Sequence, residues 1–223
     1  MPIELERVAD HEAAAQAAAK LIVAAGREAL AERDRFSLAL SGGTDPWRMV
    51  ELVSEADLDW ERTTIFQVDE RIAPAGDDDR NLTHMVEALP IDLQTRIRPM
   101  PVTDDDLESA AARYAEELPD ALDAVHLGLG PDGHTASLVP NDRVLEVSDR
   151  KVALTGGEYQ DRRRMTVTYP TLAAARNIVW LITGAEKQDP LAKLRAQDPS
   201  VPAGRVSQEH ATIVADAEAL GAG

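Results

Sequence analysis

The chain has 223 residues, a formal net charge of −17 and a hydrophobic content of 44%, which is the composition of a globular protein. The charge repels nucleic acid and anionic membranes, so we expect no partner of either kind. The sequence contains no cysteine, which excludes disulfides, cysteine nucleophiles and thiolate metal sites.

The first half of the chain alternates helix and strand signals. In chain order these are a helix capped by Asp10 with apolar residues at helical spacing from Ala14 to Ala29, the buried strand FSLAL (36–40), a helix start with Asp45 as cap and Pro46 in the first helical position, the buried strand TTIFQV ending at Val68, and a loop around Pro74, Gly76 and Asp77 to Asp79.

The second half continues this alternation. In chain order come a helix capped by Thr103 with Leu107, Ala111, Tyr114 and Leu118 on one face, the strands AVHLGLG (124–130), MTVTY (165–169) and NIVWLIT (177–183), a helix containing Lys187, Leu191 and Leu194, and a last apolar run, ATIVAD (211–216). Alternating elements predict an α/β fold, with a mostly parallel sheet and helices on both faces. Because there is no internal repeat and no low-complexity linker, we expect residues 1–223 to form a single domain.

Nothing in the sequence indicates export. No apolar stretch reaches membrane-spanning length. The segment MPIELERVADHE at the N-terminus is acidic and lacks the apolar core of a signal peptide. We therefore expect a cytoplasmic protein.

Three segments rich in glycine and polar residues directly follow predicted strands: Ser41 to Thr44, Asp69 to Arg71, and Gly130 to Ser137. In an open α/β sheet, ligands bind beyond the carboxyl ends of the strands. We therefore expect the three segments to meet at one edge of the sheet and to form one site.

The first two segments have both functional and structural interpretations. Gly42 and Gly43 allow the backbone to approach a ligand closely, and the following helix start offers N–H groups to an anion; a tight turn that needs glycine explains them equally well. Arg71 would neutralise a phosphate, and Asp69 or Glu70 would hydrogen-bond hydroxyls. For that segment alone, a solvated salt-bridge cluster is the simpler explanation.

The third segment, LGLGPDGHTASLVP (127–140), has the clearest catalytic pattern. His134 is suited to take a proton near neutral pH, and Asp132 is placed to hold its other ring nitrogen and set its tautomer. The alternatives are that Asp132 caps a short helix beginning near Thr135, and that His134 is a turn residue without a role. An aspartate and a histidine in a glycine-rich strand exit favour catalysis.

The other histidines indicate no metal site. His126 lies in a predicted strand and is expected in the core, and His11, His84 and His210 are scattered along the chain. The sequence has no metal-ligand spacing such as H-x-x-x-H. We therefore expect no catalytic metal and no cofactor.

Four segments together resemble the 6-phosphogluconolactonase family, within the wider group that includes glucosamine-6-phosphate deaminase. They are, in the family's order, LSGGTDP (40–46), VDER (68–71) followed ten residues later by Asn81, LGLGPDGHTASLVP (127–140) and RRMTVTYPTLAAARNIVWLITGAEKQDPL (163–191). The DGHTASL segment is the most specific of them. The resemblance runs from about residue 36 to residue 206.

The resemblance implies a Rossmann-like α/β fold and the hydrolysis of 6-phospho-D-glucono-1,5-lactone in the oxidative pentose phosphate pathway. The expected partner is thus a small phosphorylated sugar lactone. His134 would be the base that activates water, and Asp132 would orient it. The residues expected to bind substrate are Ser41, Gly42, Gly43, Thr44, Asp69, Glu70, Arg71, Asn81, Gly133 and Lys187.

The chain departs from the family pattern in the first segment. It has Thr44-Asp45-Pro46 after the two glycines, where the family usually has Ser-Thr-Pro. Asp45 therefore places a negative charge beside the expected phosphate site. Either its carboxylate caps the helix and points away, or the phosphate rests mainly on arginines and Lys187.

A lactone is an activated ester, and its hydrolysis needs a delivered water, a stabilised carbonyl oxygen and a proton for the departing ring oxygen. We expect His134 to activate water directly, since no G-x-S-x-G nucleophile motif is present. N–H groups near Gly42, Gly43 or Gly133 would receive the oxyanion.

Two alternatives remain open. An amino-sugar phosphate isomerase or deaminase would use Asp69 as base, although Ser137 to Pro140 stand where deaminases carry an aromatic-Asn-Glu-Pro stretch with the ring-opening glutamate. A sugar-phosphate sensor would bind without turnover. The sequence also leaves unranked a basic cluster, Arg162 to Arg164, as a second place for phosphate.

Overall fold

The computed structural model describes residues 3–43 and 46–221. Thr44 and Asp45, both part of the predicted glycine loop, lie outside the described residues. The strands are β1 (Glu4–Arg7), β2 (Phe36–Leu40), β3 (Thr63–Gln67), β4 (Asp69–Arg71), β5 (Ile97–Arg98), β6 (Ala124–Leu127), β7 (Val152–Leu154), β8 (Arg164–Val167), β9 (Ile178–Ile182) and β10 (Ala211–Ala215). The α-helices are α1 (His11–Arg33), α2 (Trp47–Ser54), α3 (Asn81–Ala88), α4 (Leu107–Glu117), α5 (Tyr169–Ala173) and α6 (Gln188–Arg195).

Seven strands form one parallel sheet in the order β1-β10-β9-β6-β2-β3-β5. After β2, the next strands of this sheet along the chain, β3 and β5, are added on one side of β2. The later strands β6, β9 and β10 are added on the opposite side of β2. The strand order therefore reverses between β2 and β6, and such a reversal opens a crevice at the carboxyl ends of the strands. The predicted mostly parallel sheet is confirmed.

Apolar side chains on both faces of this sheet form two cores, because alternate residues of a strand point to opposite faces. In β9, Trp180 belongs to one core and Val179 to the other. Helices α1, α2 and α3 contribute to the core with Val179, whereas α4, α5 and α6 contribute to the core with Trp180. The prediction of helices on both faces is confirmed.

A second, antiparallel sheet in the order β4-β8-β7 corrects two sequence-based assignments. The segment Asp69–Arg71 was expected to be a loop and is strand β4, paired with β8. Strand β8 ends at Val167, and Tyr169 already begins α5. Short strands that are buried on both faces show no alternation of apolar and polar residues. The sequence therefore did not indicate which strands they pair with or in which direction, and could not separate the two sheets.

Two helix starts also differ from the prediction. Helix α4 is capped by Asp106, whose Oδ1 accepts a hydrogen bond from Ser109 N at 3.1 Å, and Thr103 precedes it by three residues. Helix α2 begins at Trp47, and Pro46 occupies the cap position with its carbonyl accepting from Val50 N at 2.9 Å. The predicted Asp10 cap of α1 is confirmed by the hydrogen bond from Ala13 N at 2.9 Å. Within the described residues, no helix is both long and apolar enough to cross a membrane.

Candidate active site

A cavity of about 230 Å³ lies at the carboxyl ends of β2, β3, β6 and β9. Its walls are formed by Ser41, Gly42, Gly43, Pro46, Asp69, Arg71, Asn81, His126, Gly128, Leu129, Gly130, Pro131, His134, Ala136, Gln160, Arg164, Leu181 and Lys187. All three predicted segments contribute to it, which confirms that they meet at one edge of the sheet.

His134 and Asp132 form a hydrogen-bonded pair at this cavity. His134 Nδ1 lies 2.6 Å from Asp132 Oδ1, and the same oxygen accepts the backbone N–H of His134 at 3.1 Å. Residues 131–141 contain no helix; Thr135 and Leu138 form an isolated bridge instead. The alternative in which Asp132 caps a helix near Thr135 is therefore wrong. The arrangement leaves Nε2 as the ring nitrogen that can act on a ligand.

Asp132 is held in its ionised form. Partial burial alone would raise the pKa of this carboxyl, but the hydrogen bonds and the charge of His134, together with a hydrogen bond from Tyr159, outweigh burial and hold the pKa well below its usual range. A carboxylate that stays ionised is a permanent acceptor for the ring N–H, as in a catalytic triad.

Glycine is required at position 130 because the histidine ring lies against the backbone there. A Cβ atom built on Gly130 would lie 2.0 Å from His134 Nδ1. The turn that brings them together is closed by Gly130 N donating to His134 O at 2.8 Å and Gly133 N donating to Gly130 O at 3.0 Å. The glycines of this segment thus shape the loop that presents His134.

The first glycine loop is packed against Asn81. A Cβ atom on Gly42 would lie 1.9 Å from Asn81 Oδ1. The Asn81 side chain donates to the Asp69 carbonyl at 2.9 Å and to Asp69 Oδ1 at 3.3 Å, and its Oδ1 accepts from Arg71 Nη1 at 2.6 Å. Asn81 therefore ties the glycine loop to the β4 segment.

Asp69 lies buried in the cavity wall. Its Oδ2 accepts the hydroxyl of Ser137 at 2.6 Å, and its Oδ1 lies 3.5 Å from the hydroxyl of Ser41. Its carboxylate is thus shared between hydroxyl and amide donors rather than paired with a single cation.

Glu70 points away from the cavity. Its side chain is 0% exposed and forms an ion pair with Arg80 at 3.3 Å. Its oxygens also accept the backbone N–H groups of Asn81 at 2.8 Å and Leu82 at 2.9 Å, at the start of α3. Glu70 therefore caps a helix and does not line the cavity, in contrast to its predicted role in substrate binding.

Three cations line the cavity: Arg71, Arg164 and Lys187. Arg164 is 3% exposed, and burial lowers the pKa of its guanidinium from the usual value. In the part of the chain that the structure describes, the Nε atoms of Arg71 and Arg164 are buried without a hydrogen-bond partner, as are those of Arg96 and Arg163 outside the cavity wall. Buried cationic donors without partners suit an anionic ligand.

The structure also ranks the basic cluster at 162–164. Arg164 lines the cavity, and Arg162 pairs with Asp77 at 3.4 Å and Asp79 at 2.8 Å in the acidic loop. Arg163 does not line the cavity. Only Arg164 of the three adds a cation to the cavity wall.

Comparison with known proteins shows the family. Residues 9–215 match the family described as glucosamine-6-phosphate isomerases/6-phosphogluconolactonase. The chain belongs to this family. Its relatives include the 6-phosphogluconolactonases of Synechocystis sp., 35% identical over 77% of this chain and 76% of the relative, and of Mycobacterium tuberculosis, 31% identical over 98% of each.

Solved structures of family members have the same fold. The 6-phosphogluconolactonase of Thermotoga maritima superposes with a TM-score of 0.84 at 26% identity, covering 96% of this chain and 98% of the other. That of Shewanella baltica gives 0.85 at 25% identity, with 96% and 97% covered. A monomeric glucosamine-6-phosphate deaminase gives 0.81 at 19% identity, which shows a shared fold alone.

Of the residues predicted to form the site, nine either line the cavity or have a side chain hydrogen-bonded to a side chain that lines it. Eight of them line the cavity: Ser41, Gly42, Gly43, Asp69, Arg71, Asn81, His134 and Lys187. Asp132 lies behind His134. Glu70 and Gly133 are not part of the wall, and the Gly133 N–H is occupied by the Gly130 carbonyl.

Sequence reasoning missed Tyr159, Gln160 and Arg164 as individual site residues. All three lie on or next to the hairpin between β7 and β8, where the pattern offered no strand exit and no glycine-rich motif. Arg164 was part of a recognised basic cluster, which was the one available signal. His126, expected in the core, is 1% exposed and also lines the cavity. Within residues 3–43 and 46–221, no group of three or more histidine, aspartate or glutamate side chains is placed to hold a metal ion.

Proposed function

We propose that this chain is a 6-phosphogluconolactonase, which hydrolyses 6-phospho-D-glucono-1,5-lactone to 6-phospho-D-gluconate as a single cytoplasmic domain. Family membership and the names of its relatives support the activity. The observation that carries the proposal is a single cavity with the Asp132–His134 pair on one wall and three cations around it. A base and a cluster of cations in one pocket match a neutral ester that carries a phosphate.

His134 is the general base in this proposal. With Nδ1 bonded to ionised Asp132, the ring carries its proton on Nδ1 and leaves Nε2 free to take a proton from water. The water oxygen then bonds to the lactone carbonyl carbon, and the ring C–O bond breaks. The imidazolium returns its proton to the departing ring oxygen, so that the base is regenerated without a covalent intermediate.

The cations hold the phosphate at the far end of the substrate. Arg71, Arg164 and Lys187 supply the positive charge, and remote binding of this kind aligns the reacting carbonyl. The side chain of Lys187 is 15% exposed, and its Nζ is 3.4 Å from Glu186 Oε1. Of the three glycines expected to donate to the carbonyl oxygen, Gly133 has its N–H occupied, so Gly42 and Gly43 take this role in the proposal.

A coupled assay tests this proposal. The lactone is generated from glucose 6-phosphate, and formation of 6-phosphogluconate is followed with and without the protein. We expect formation well above the spontaneous rate, and a much lower kcat/KM for unphosphorylated gluconolactone. No acceleration would refute the activity, and equal kcat/KM for both lactones would refute the phosphate site.

The isomerase or deaminase alternative keeps one observation in its favour, since Asp69 lies in the cavity wall where such an enzyme needs a base. Its engagement with Ser137 and Asn81 speaks against that role. Release of ammonia from glucosamine 6-phosphate would support the alternative. Tight binding of 6-phosphogluconate without any turnover of the lactone would instead favour a sensor.

A further inference from the structure

Tyr159 lies against the Asp132–His134 pair. Its hydroxyl donates to Asp132 Oδ2 at 2.9 Å and lies 3.2 Å from His134 Nδ1. The two rings are in edge contact, with centroids 5.1 Å apart and planes at 63°. The carboxylate of Asp132 thus has His134 on one oxygen and Tyr159 on the other.

The number of protons in this group decides which ring nitrogen of His134 is basic. A phenol has one proton to donate. If the Tyr159 hydroxyl donates its hydrogen bond to Asp132 Oδ2, the ring proton of His134 is on Nδ1, where it is donated to Asp132 Oδ1. Nε2 then has no proton and is the basic nitrogen. If the Tyr159 hydroxyl donates its hydrogen bond to His134 Nδ1 instead, the ring proton is on Nε2. Nε2 then cannot take a proton from water.

We propose that Tyr159 is a positioning residue, which orients the Asp132 carboxylate toward His134 Nδ1 by donating its hydroxyl hydrogen bond to Asp132 Oδ2. The proposal rests on the function proposed above and extends it to a residue that does not touch the cavity itself. Tyr159 completes the pair as a third member, because it gives Asp132 Oδ2 a donor that holds the carboxylate in the orientation needed at Oδ1.

The structure holds Tyr159 in place for this role. The Arg164 guanidinium lies 5.0 Å from the centre of its ring, and Arg164 Nη2 donates to the Tyr159 carbonyl at 3.2 Å. The Tyr159 N–H donates to the Arg162 carbonyl at 2.9 Å. Burial, followed by the hydrogen bond to Asp132, raises the pKa of Tyr159 to about 12, so the hydroxyl keeps its proton at neutral pH.

The kinetic test is Tyr159→Phe, which keeps the ring and removes only the hydroxyl. We expect kcat to fall roughly 5- to 50-fold, less than the 10²- to 10⁴-fold typical of removing a base itself, with KM within about twofold of the wild type.

The matched control is Tyr169→Phe. Tyr169 also donates its hydroxyl, to the Pro202 carbonyl at 2.9 Å, and also has an arginine, Arg205, at 4.9 Å from its ring centre, but it lies outside the cavity wall. The control is expected to keep kcat.

A double mutant shows whether Tyr159 acts through Asp132. In an Asp132→Ala background, Tyr159→Phe is expected to cause no further loss of kcat, because the carboxylate that it orients is gone. Independent, multiplicative losses in the double mutant would overturn the proposal.

The direct test is the hydrogen bond between Asp132 and His134, read from the ¹H chemical shift of the His134 Nδ1 proton in ¹⁵N-labelled protein, with the signal assigned by its absence in His134→Gln. We expect this proton to resonate at the same low field in the wild type and in Tyr169→Phe, and to move to higher field in Tyr159→Phe, because a carboxylate without its second donor is held less firmly against Nδ1. An unchanged Nδ1 proton shift in Tyr159→Phe would overturn the proposal whatever the kinetics. This measurement needs no turnover, so it separates failure of the Tyr159 proposal from failure of the proposed activity.

Discussion

At the scale of single residues, the proposed chemistry depends on one imidazole ring, and two of the residues that hold this ring are close to it in sequence. Asp132, two residues away, is hydrogen-bonded to Nδ1, and Gly130, four residues away, lies directly against the ring. Both contacts lie within the single turn that spans residues 130–134. Each of these neighbours can therefore be tested by a conservative substitution.

His134→Ala is expected to lower kcat by roughly 10²- to 10⁴-fold, the span of a positioned acid–base group, equivalent to about 3 to 5 kcal/mol in the barrier. KM should change little because the cations remain, and Asp132→Asn should do less damage. Steady-state kinetics and the melting temperature are measured on the same preparation. A folded His134→Ala variant with wild-type kcat would contradict the mechanism.

Gly130→Ala is expected to lower kcat by displacing the ring, since the added methyl carbon would overlap His134 Nδ1. A loss of roughly 10- to 100-fold follows from misplacing the base by about 1 Å. The control is Gly157→Ala, where an added Cβ meets no atom within 4 Å. Equal kcat for the two alanine variants would show that the ring is not held as described.

Lys187→Ala is expected to raise KM roughly 10- to 100-fold, because a hydrogen bond to a charged group contributes about 1.5 to 3 kcal/mol. Lys193, two turns further along the chain, is paired with Asp189 at 2.7 Å and does not line the cavity. Lys193→Ala is therefore the matched control and should leave KM unchanged. A KM for Lys187→Ala equal to that of Lys193→Ala would place the phosphate elsewhere.

At the scale of secondary-structure elements, the cavity depends on how β4 and α3 are joined. Glu70 at the centre of β4 accepts hydrogen bonds from the first N–H groups of α3, while its neighbours Asp69 and Arg71 face the cavity. Alternation along the strand thus assigns successive residues to structural and binding roles.

Glu70→Ala is expected to lower the free energy of unfolding by about 3 to 5 kcal/mol, the usual cost of removing one member of a buried ion pair, here the pair with Arg80. Chemical denaturation measures it. Glu87→Ala is the control on the same helix, since that side chain is 70% exposed. If Glu70→Ala kept its stability and raised only KM, the residue would be a substrate ligand after all.

At the scale of the whole molecule, the site is built over a buried histidine that responds to pH. Burial lowers the pKa of His126 to about 4, against a smaller opposing effect of a hydrogen bond with the Ser41 backbone. The denatured chain takes up a proton at this residue below about pH 6.5, whereas the folded protein does so only near pH 4. The free energy of unfolding therefore decreases as pH falls between these two values.

The contribution of His126 to this decrease is expected to be roughly 3 kcal/mol, from about 1.4 kcal/mol per pKa unit. Denaturation of the wild type and of His126→Gln at a series of pH values measures it. The variant should lose that part of the pH dependence, and the exposed control His210→Gln should keep it. Identical slopes in wild type and His126→Gln would show that His126 is not responsible.

The parts of the fold and site that were predictable are those encoded over short distances along the chain. Hydrophobic periodicity indicated α1 and α4, and continuous apolar runs indicated β2, β3, β6, β9 and β10. Glycine and polar residues after strands indicated the edge of the sheet that holds the cavity. The Asp132–His134 contact spans two residues, so a turn alone can form it.

Only the tertiary structure decided the contacts between segments far apart in the sequence. Asp69 pairs with Thr166 in the second sheet, and Tyr159 reaches His134 across 25 residues. The side chain of Arg164 faces the cavity and that of Glu70 faces away from it, and both directions depend on which face of the strand meets the cavity. A one-residue change in register reverses that face, and only the packing of both sheets sets the register.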